Sequence, residues 1–159
     1  MDKSLEQLDY KGIFRYFSEI SRIPRGSGNE KEISDFLVSF AKEHDLEYTQ
    51  DESNNVIMIK KASVGYEAEP AILLQGHMDM ACEKLNESSH DFLTDGIKLL
   101  IDGDFLHADN TTLGADNGIA VAYIMAILAD ETLPHPRLEA VITSDEEVGM
   151  QGAHALDCS

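Results

Sequence analysis

Positive charge is scarce in this chain. Lysine and arginine number 12 against 30 aspartates and glutamates, a formal net charge of −18. Nucleic acids and anionic membranes both demand a basic footprint, so neither is an expected partner. Cysteine is nearly absent: Cys82 and Cys158 are the whole complement. Two thiols cannot build a disulfide framework, which fits a reducing cytoplasm. No apolar run is long enough to span a bilayer. Met1 to Gln7 lacks the apolar segment of a signal peptide, so the expected location is cytoplasmic. Internal repeats and low-complexity tracts are missing too.

What remains is the composition of an ordinary globular domain. The chain has 159 residues, 43% apolar and 26% charged, enough to bury a real core in one domain. Most of the acid excess is solvated surface. Tyr10, Ile13, Phe14, Phe17, Ile20 and Ile23 recur at helical spacing over 9–23, and Pro24 ends that helix. A loop follows at Arg25 to Asn29, where Ser27 or Asn29 is expected to cap the next helix. That helix carries Ile33, Phe36, Leu37 and Phe40 on one face and ends near His44. Strands are expected at 46–49 and 56–59 around a turn at 51–55, and a second hairpin over 97–107. Ile119 to Leu128 is apolar nearly all round and reads as a buried helix, and 138–143 as an inner strand. A short final helix begins at Gln151.

The chain is organised around Leu73-Leu74-Gln75-Gly76-His77-Met78-Asp79-Met80. The apolar run Pro70 to Leu74 reads as a buried strand. On extended backbone His77 and Asp79 point the same way. An imidazole can ligate a divalent metal while a neighbouring carboxylate takes its second N–H and holds the tautomer. Cys82 lies close by, and a small buried thiol is preferred over a metal ligand as its reading. Two further clusters occupy comparable places: Asp116 in a glycine-flanked loop before the buried helix, and Glu146-Glu147 after the inner strand.

Each cluster alone is ordinary. H-x-D suits a capped strand end, Asp116 a carboxylate at a helix N-terminus, and Glu-Glu a charged surface. Together they would converge on one edge of an α/β sheet. Several carboxylates around one imidazole repel unless a cation neutralises them, and mixed N and O donors suit zinc, manganese or cobalt. With this many carboxylates, two metals bridged by one of them is chemically sensible. Adjacent side chains diverge, so Glu146 and Glu147 divide two jobs, one on metal and one facing substrate as a base.

The motifs Gly76-His77-Met78-Asp79, Gly114-Ala115-Asp116-Asn117-Gly118 and Asp145-Glu146-Glu147-Val148-Gly149 resemble, in order and interval, those of the M20 metallopeptidases. Cys82-Glu83-Lys84, His90-Asp91-Phe92 and Thr111-Thr112-Leu113 are similar to the Xaa-His (aminoacyl-histidine) dipeptidase branch. The resemblance implies an α/β fold with a mixed, largely parallel sheet flanked by helices, as in zinc peptidases. It implies that His77 ligates one metal, Glu147 the other, and Asp116 bridges both. The metals would be two Zn2+, with Mn2+ or Co2+ as alternatives. Glu146 would be the general base toward the metal-activated water, and Asp79 would orient His77. It further implies a cis peptide at Asp116–Asn117 and a dipeptide, Xaa-His in particular, as substrate.

The resemblance covers only the front of that family's catalytic domain. Residues 1–159 are therefore expected to be its N-terminal portion, without the lid or dimerisation domain that would make a full-length homodimer. Two metal ligands of the family, a later carboxylate and a late histidine, have no counterpart; His154 reads as an ordinary residue of the last helix. The expectation is weak metal binding and no activity of this stretch alone. Other M20 activities (tripeptidase, carboxypeptidase, N-acyl amino acid hydrolase) and a non-catalytic remnant stand as alternatives.

Overall fold

A computed structural model describes residues 12–156. Tyr10, the stretch Met1 to Gln7 and Cys158 lie outside the described residues. The elements run α1 (Ile13–Ser21), α2 (Lys31–Glu43), β1 (Glu47–Gln50), β2 (Val56–Lys60), β3 (Ile72–His77), β4 (Leu99–Asp102), β5 (Phe105–Ala108), α3 (Ala115–Ala129), β6 (Leu138–Thr143) and α4 (Gln151–Ala155).

Four strands form one sheet in the order β1-β2-β6-β3, and β4-β5 form a separate hairpin. The sheet is mixed, as the sequence leads one to expect. Its weight of parallel pairing is smaller than expected: among the described strands only β3 and β6 run parallel, while β1–β2 and β2–β6 are antiparallel. Connection length explains this. The short turn after β1 can only return the chain antiparallel, whereas the long passage through α3 lets β6 run beside β3 in the same direction. Gly76 pairs with Ile142, and His77 with Thr143, so both strands deliver their next residues to one edge.

Helices α2 and α3 lie against one face of the sheet, and α1 packs on α3. A Cβ on Gly76 would touch Val121 and Ile124 of α3. Tyr48 shares that face through the β1–β2 and β2–β6 registers, and Lys42 of α2 lies over its ring. The core includes Phe17, Ile20, Leu37, Met58, Met125 and Ile142, all buried. Strands β2 and β6 alternate, with Val56, Met58, Leu138, Ala140 and Ile142 inward.

Three expectations need correction. The Pro70 to Leu74 run is not a buried strand: β3 lies at the sheet edge among the described strands, and Ile72 and Leu73 are 46% and 62% exposed. An apolar run records hydrophobicity, not what covers it. Neither Ser27 nor Asn29 caps α2; Glu30 occupies the cap position, without a side-chain cap bond. The Ser27 hydroxyl and the Asn29 amide are engaged elsewhere, on Asp79 and on the carbonyl of Leu93. Cys82 is exposed rather than buried, because the loop after Met80 runs outward.

Leu37 is wholly enclosed between α2 and the sheet. Leu37→Ala is expected to cost about 2–5 kcal/mol in urea unfolding, leaving the residues at the β3 and β6 carboxyl ends untouched.

Candidate metal centre

His77 is the last residue of β3 and is buried. Its Nδ1 lies 3.2 Å from both Asp79 Oδ1 and the Asp79 carbonyl. Both partners accept, so Nδ1 carries a proton, and Nε2 points outward to the remaining acidic groups. Nε2 faces Asp116 Oδ1 at 3.2 Å and Glu146 Oε2 at 3.7 Å. Burial would lower the His77 pKa, but the hydrogen bond and charge of Asp79, then Glu146 and Asp116, outweigh it and raise it.

Asp79 is fully buried, and four donors converge on it. Besides His77, Oδ1 accepts the Glu146 N–H at 3.0 Å, and Oδ2 accepts the Ser27 hydroxyl at 2.8 Å and the Glu147 N–H at 3.2 Å. Burial alone would raise this carboxyl. The bonds from His77, Glu146, Ser27 and Glu147 prevail and hold it near about 2, ionised at any neutral pH.

Asp116 enters from the start of α3, where it and Asn117 depart from helical backbone angles. The Asp116–Asn117 peptide is cis. The Asn117 amide oxygen accepts the His77 N–H at 3.2 Å, and it sits where a side chain at Gly76 would be, 2.7 Å from that Cβ position. Glycine at 76 is what lets α3 approach β3 this closely. Glu146 and Glu147 follow β6 after a left-handed residue, Asp145 at φ 47. His77, Asp116 and Glu147 each offer one donor atom, all within 4.8 Å of one another. A mixed nitrogen and carboxylate donor set at this spacing fits a divalent metal ion.

Three contributors were not legible in the sequence. Arg25, placed in a polar loop, is 2% exposed; its Nη1 donates to the Met78 carbonyl at 3.0 Å and its Nη2 to the Gly114 carbonyl at 2.6 Å. Ser27 supports Asp79. Glu30 is buried and accepts the N–H groups of Gly28 and Asp145. Burial first, then its hydrogen bond with Asp145, push Glu30 up to about 7. The only sequence signal for Arg25 was the pair of glycines at 114 and 118 that clear its space.

A carboxyl raised from 4.5 to about 7 is held protonated by the fold. Its contribution to stability is therefore complete below pH 4.5 and is lost as pH rises through about 7. Glu30→Gln copies the protonated acid. It is expected to melt like the parent at pH 5 and higher than the parent at pH 8, checked by thermal denaturation of the metal-free protein.

The chain is 40% identical over 152 residues to the cytosol non-specific dipeptidase of Escherichia coli, covering 96% of this chain and 31% of that protein. It matches the crystal structure of the aminoacylhistidine dipeptidase of Vibrio alginolyticus with a TM-score of 0.94 and 36% identity, over 98% of this chain and 32% of that one. A Bacillus subtilis structure described as a dinuclear metal binding peptidase of the M20 family shares the fold, with a TM-score of 0.56 at 16% identity, over 89% of this chain and 37% of that one. No protein-family model matches. The chain spans about a third of the length of the two dipeptidases. Over nearly its whole length the chain is thus similar to these two dipeptidases and shares the fold of the M20 structure.

Proposed function

We propose that this stretch carries the front portion of the catalytic domain of a metal-dependent dipeptidase. The observation that supports it is the meeting of His77, Asp116 and Glu147 donors within 4.8 Å, with Glu146 beside them and free of the Asp79 cradle through its side chain. Likeness to two dipeptidases supports dipeptides as substrates and a cytoplasmic setting. Xaa-His dipeptides are the favoured members, on the Cys82 to Phe92 and Thr111 to Leu113 motifs.

In this reading His77 and Glu147 would each hold one ion and Asp116 would serve both, with zinc favoured and manganese or cobalt as substitutes. Divalent ions so held would polarise the scissile carbonyl and lower the pKa of water. Asp79 fixes the His77 tautomer, so that Nε2 rather than Nδ1 faces the ion. Glu146 takes the proton of the attacking water and delivers it to the leaving amine nitrogen as the C–N bond breaks. Three donor side chains shared between two ions leave each short of the usual protein ligands. Further polypeptide would supply the rest.

The first test is metal content and affinity of the purified chain, by elemental analysis and calorimetry. Weak binding of Zn2+ is expected, reduced at least tenfold by Glu147→Ala; no binding, or binding indifferent to Glu147, would overturn the site. A second test offers the chain a panel of dipeptides and N-acyl amino acids. Hydrolysis near background is expected of the chain alone. Robust turnover would overturn the view that further ligands are needed, and Glu146→Gln should then lower it by about 10²–10⁴ if Glu146 is the base.

A further inference from the structure

Arg25 is a cation enclosed in the protein, yet it touches none of the three candidate ligands through a side-chain pair. Burying a guanidinium is costly unless its donors are satisfied, and here Nε has no partner among the described residues. The two terminal nitrogens are aimed instead at two separate chain segments. Nη1 donates to the carbonyl of Met78, next after His77, with the Asp79 carbonyl at 3.4 Å. Nη2 donates to the carbonyl of Gly114, two residues before Asp116, at 2.6 Å. The Arg25 carbonyl in turn accepts the Met80 N–H at 3.1 Å, and Gly26 forms a parallel bridge with Met80.

The surroundings are cut to this guanidinium. A Cβ at Gly114 would come within 2.5 Å of Nη2 and one at Gly118 within 2.6 Å. Two glycines at the mouth of α3 thus leave room for a side chain that arrives from a loop 89 residues earlier. The same loop reaches the third ligand segment: Ser27 bonds Asp79, the Gly28 N–H donates to Asp145 Oδ1 at 2.8 Å, and Glu30 accepts the Asp145 N–H at 3.1 Å. A loop that supplies no ligand is therefore bonded to all three segments that do.

We propose that Arg25 is a positioning residue of this metal site, its planar fork setting the separation of His77 from Asp116 by holding the Met78 and Gly114 carbonyls at once. Two carbonyls on separate segments need two donors at fixed spacing, which a guanidinium has and an ammonium does not. The positive charge also lies near the buried Asp79 carboxylate, which makes its burial tolerable. The inference rests on the metal-site reading above, so its test separates the two.

The test is Co2+ affinity, by competition with a chromophoric chelator, together with the visible spectrum of the bound ion. The proteins are the parent chain, Arg25→Met, Arg25→Lys and the remote core variant Leu37→Ala. Arg25→Met is expected to weaken Co2+ about 10- to 100-fold and to change its absorption envelope, while Leu37→Ala lowers the melting temperature and leaves both unchanged. Arg25→Lys keeps the charge and secures a folded comparison if Arg25→Met does not fold; it is expected to bind as poorly as the methionine variant. Parental affinity in Arg25→Lys would overturn the clamp, because charge alone would then suffice. Equal weakening in Leu37→Ala would overturn it too, by reducing the effect to stability. A parent chain that takes up no Co2+ overturns the metal site itself, whereas a parent that binds and an Arg25→Met that binds equally overturns only this inference.

Discussion

The buried carboxylate of Asp79 is the constraint on which the rest of the site depends. An ionised group with no solvent contact must be surrounded by donors, and it draws them from three distant parts of the chain: His77 at the end of β3, Ser27 in the first loop, and the successive N–H groups of Glu146 and Glu147 after β6. These bonds do more than stabilise an anion. They orient the imidazole, and they fix the backbone from which two glutamates project. The side chains of Glu146 and Glu147 are left to face His77 and Asp116 because their N–H groups, not their carboxylates, bond Asp79.

Topology brings these parts within reach. Among the described strand pairs of the sheet, only β3 and β6 run parallel, so only they present consecutive carboxyl ends on one edge. Crossing from one to the other through α3 lays the helix start over the same edge. Gly76 then decides how near α3 can come, since the Asn117 amide fills the place a side chain would need. His77 and Asp116 meet at 3.2 Å through that closeness.

Charge is managed in pairs around an acid-rich edge. Arg25 brings a full positive charge beneath Asp79, and burial lowers its pKa only to about 10, so it stays a cation. Glu30 and Asp145 sit too close to be ionised together, and the fold keeps a proton on Glu30 to about 7. What is left unneutralised lies outward, at Asp116, Glu146 and Glu147 around His77, and a divalent cation is the natural complement.

The sequence by itself determined the element types, the amphipathic faces of α1 and α2, and the three clusters that could carry chemistry, because hydrophobic period and local motif are short-range properties. It also pointed to the cis peptide at Asp116–Asn117, through likeness to a family rather than through any physical signal. Tertiary structure alone decided that β3 lies at an edge with Leu73 exposed, that Ser27 serves Asp79 rather than α2, and that Arg25 is buried. Each of those depends on partners 50 or more residues away in the chain, as with Arg25 and Met78 at a separation of 53. No local pattern encodes such a partner; a polar loop residue reads the same whether water or a distant carbonyl receives its hydrogen.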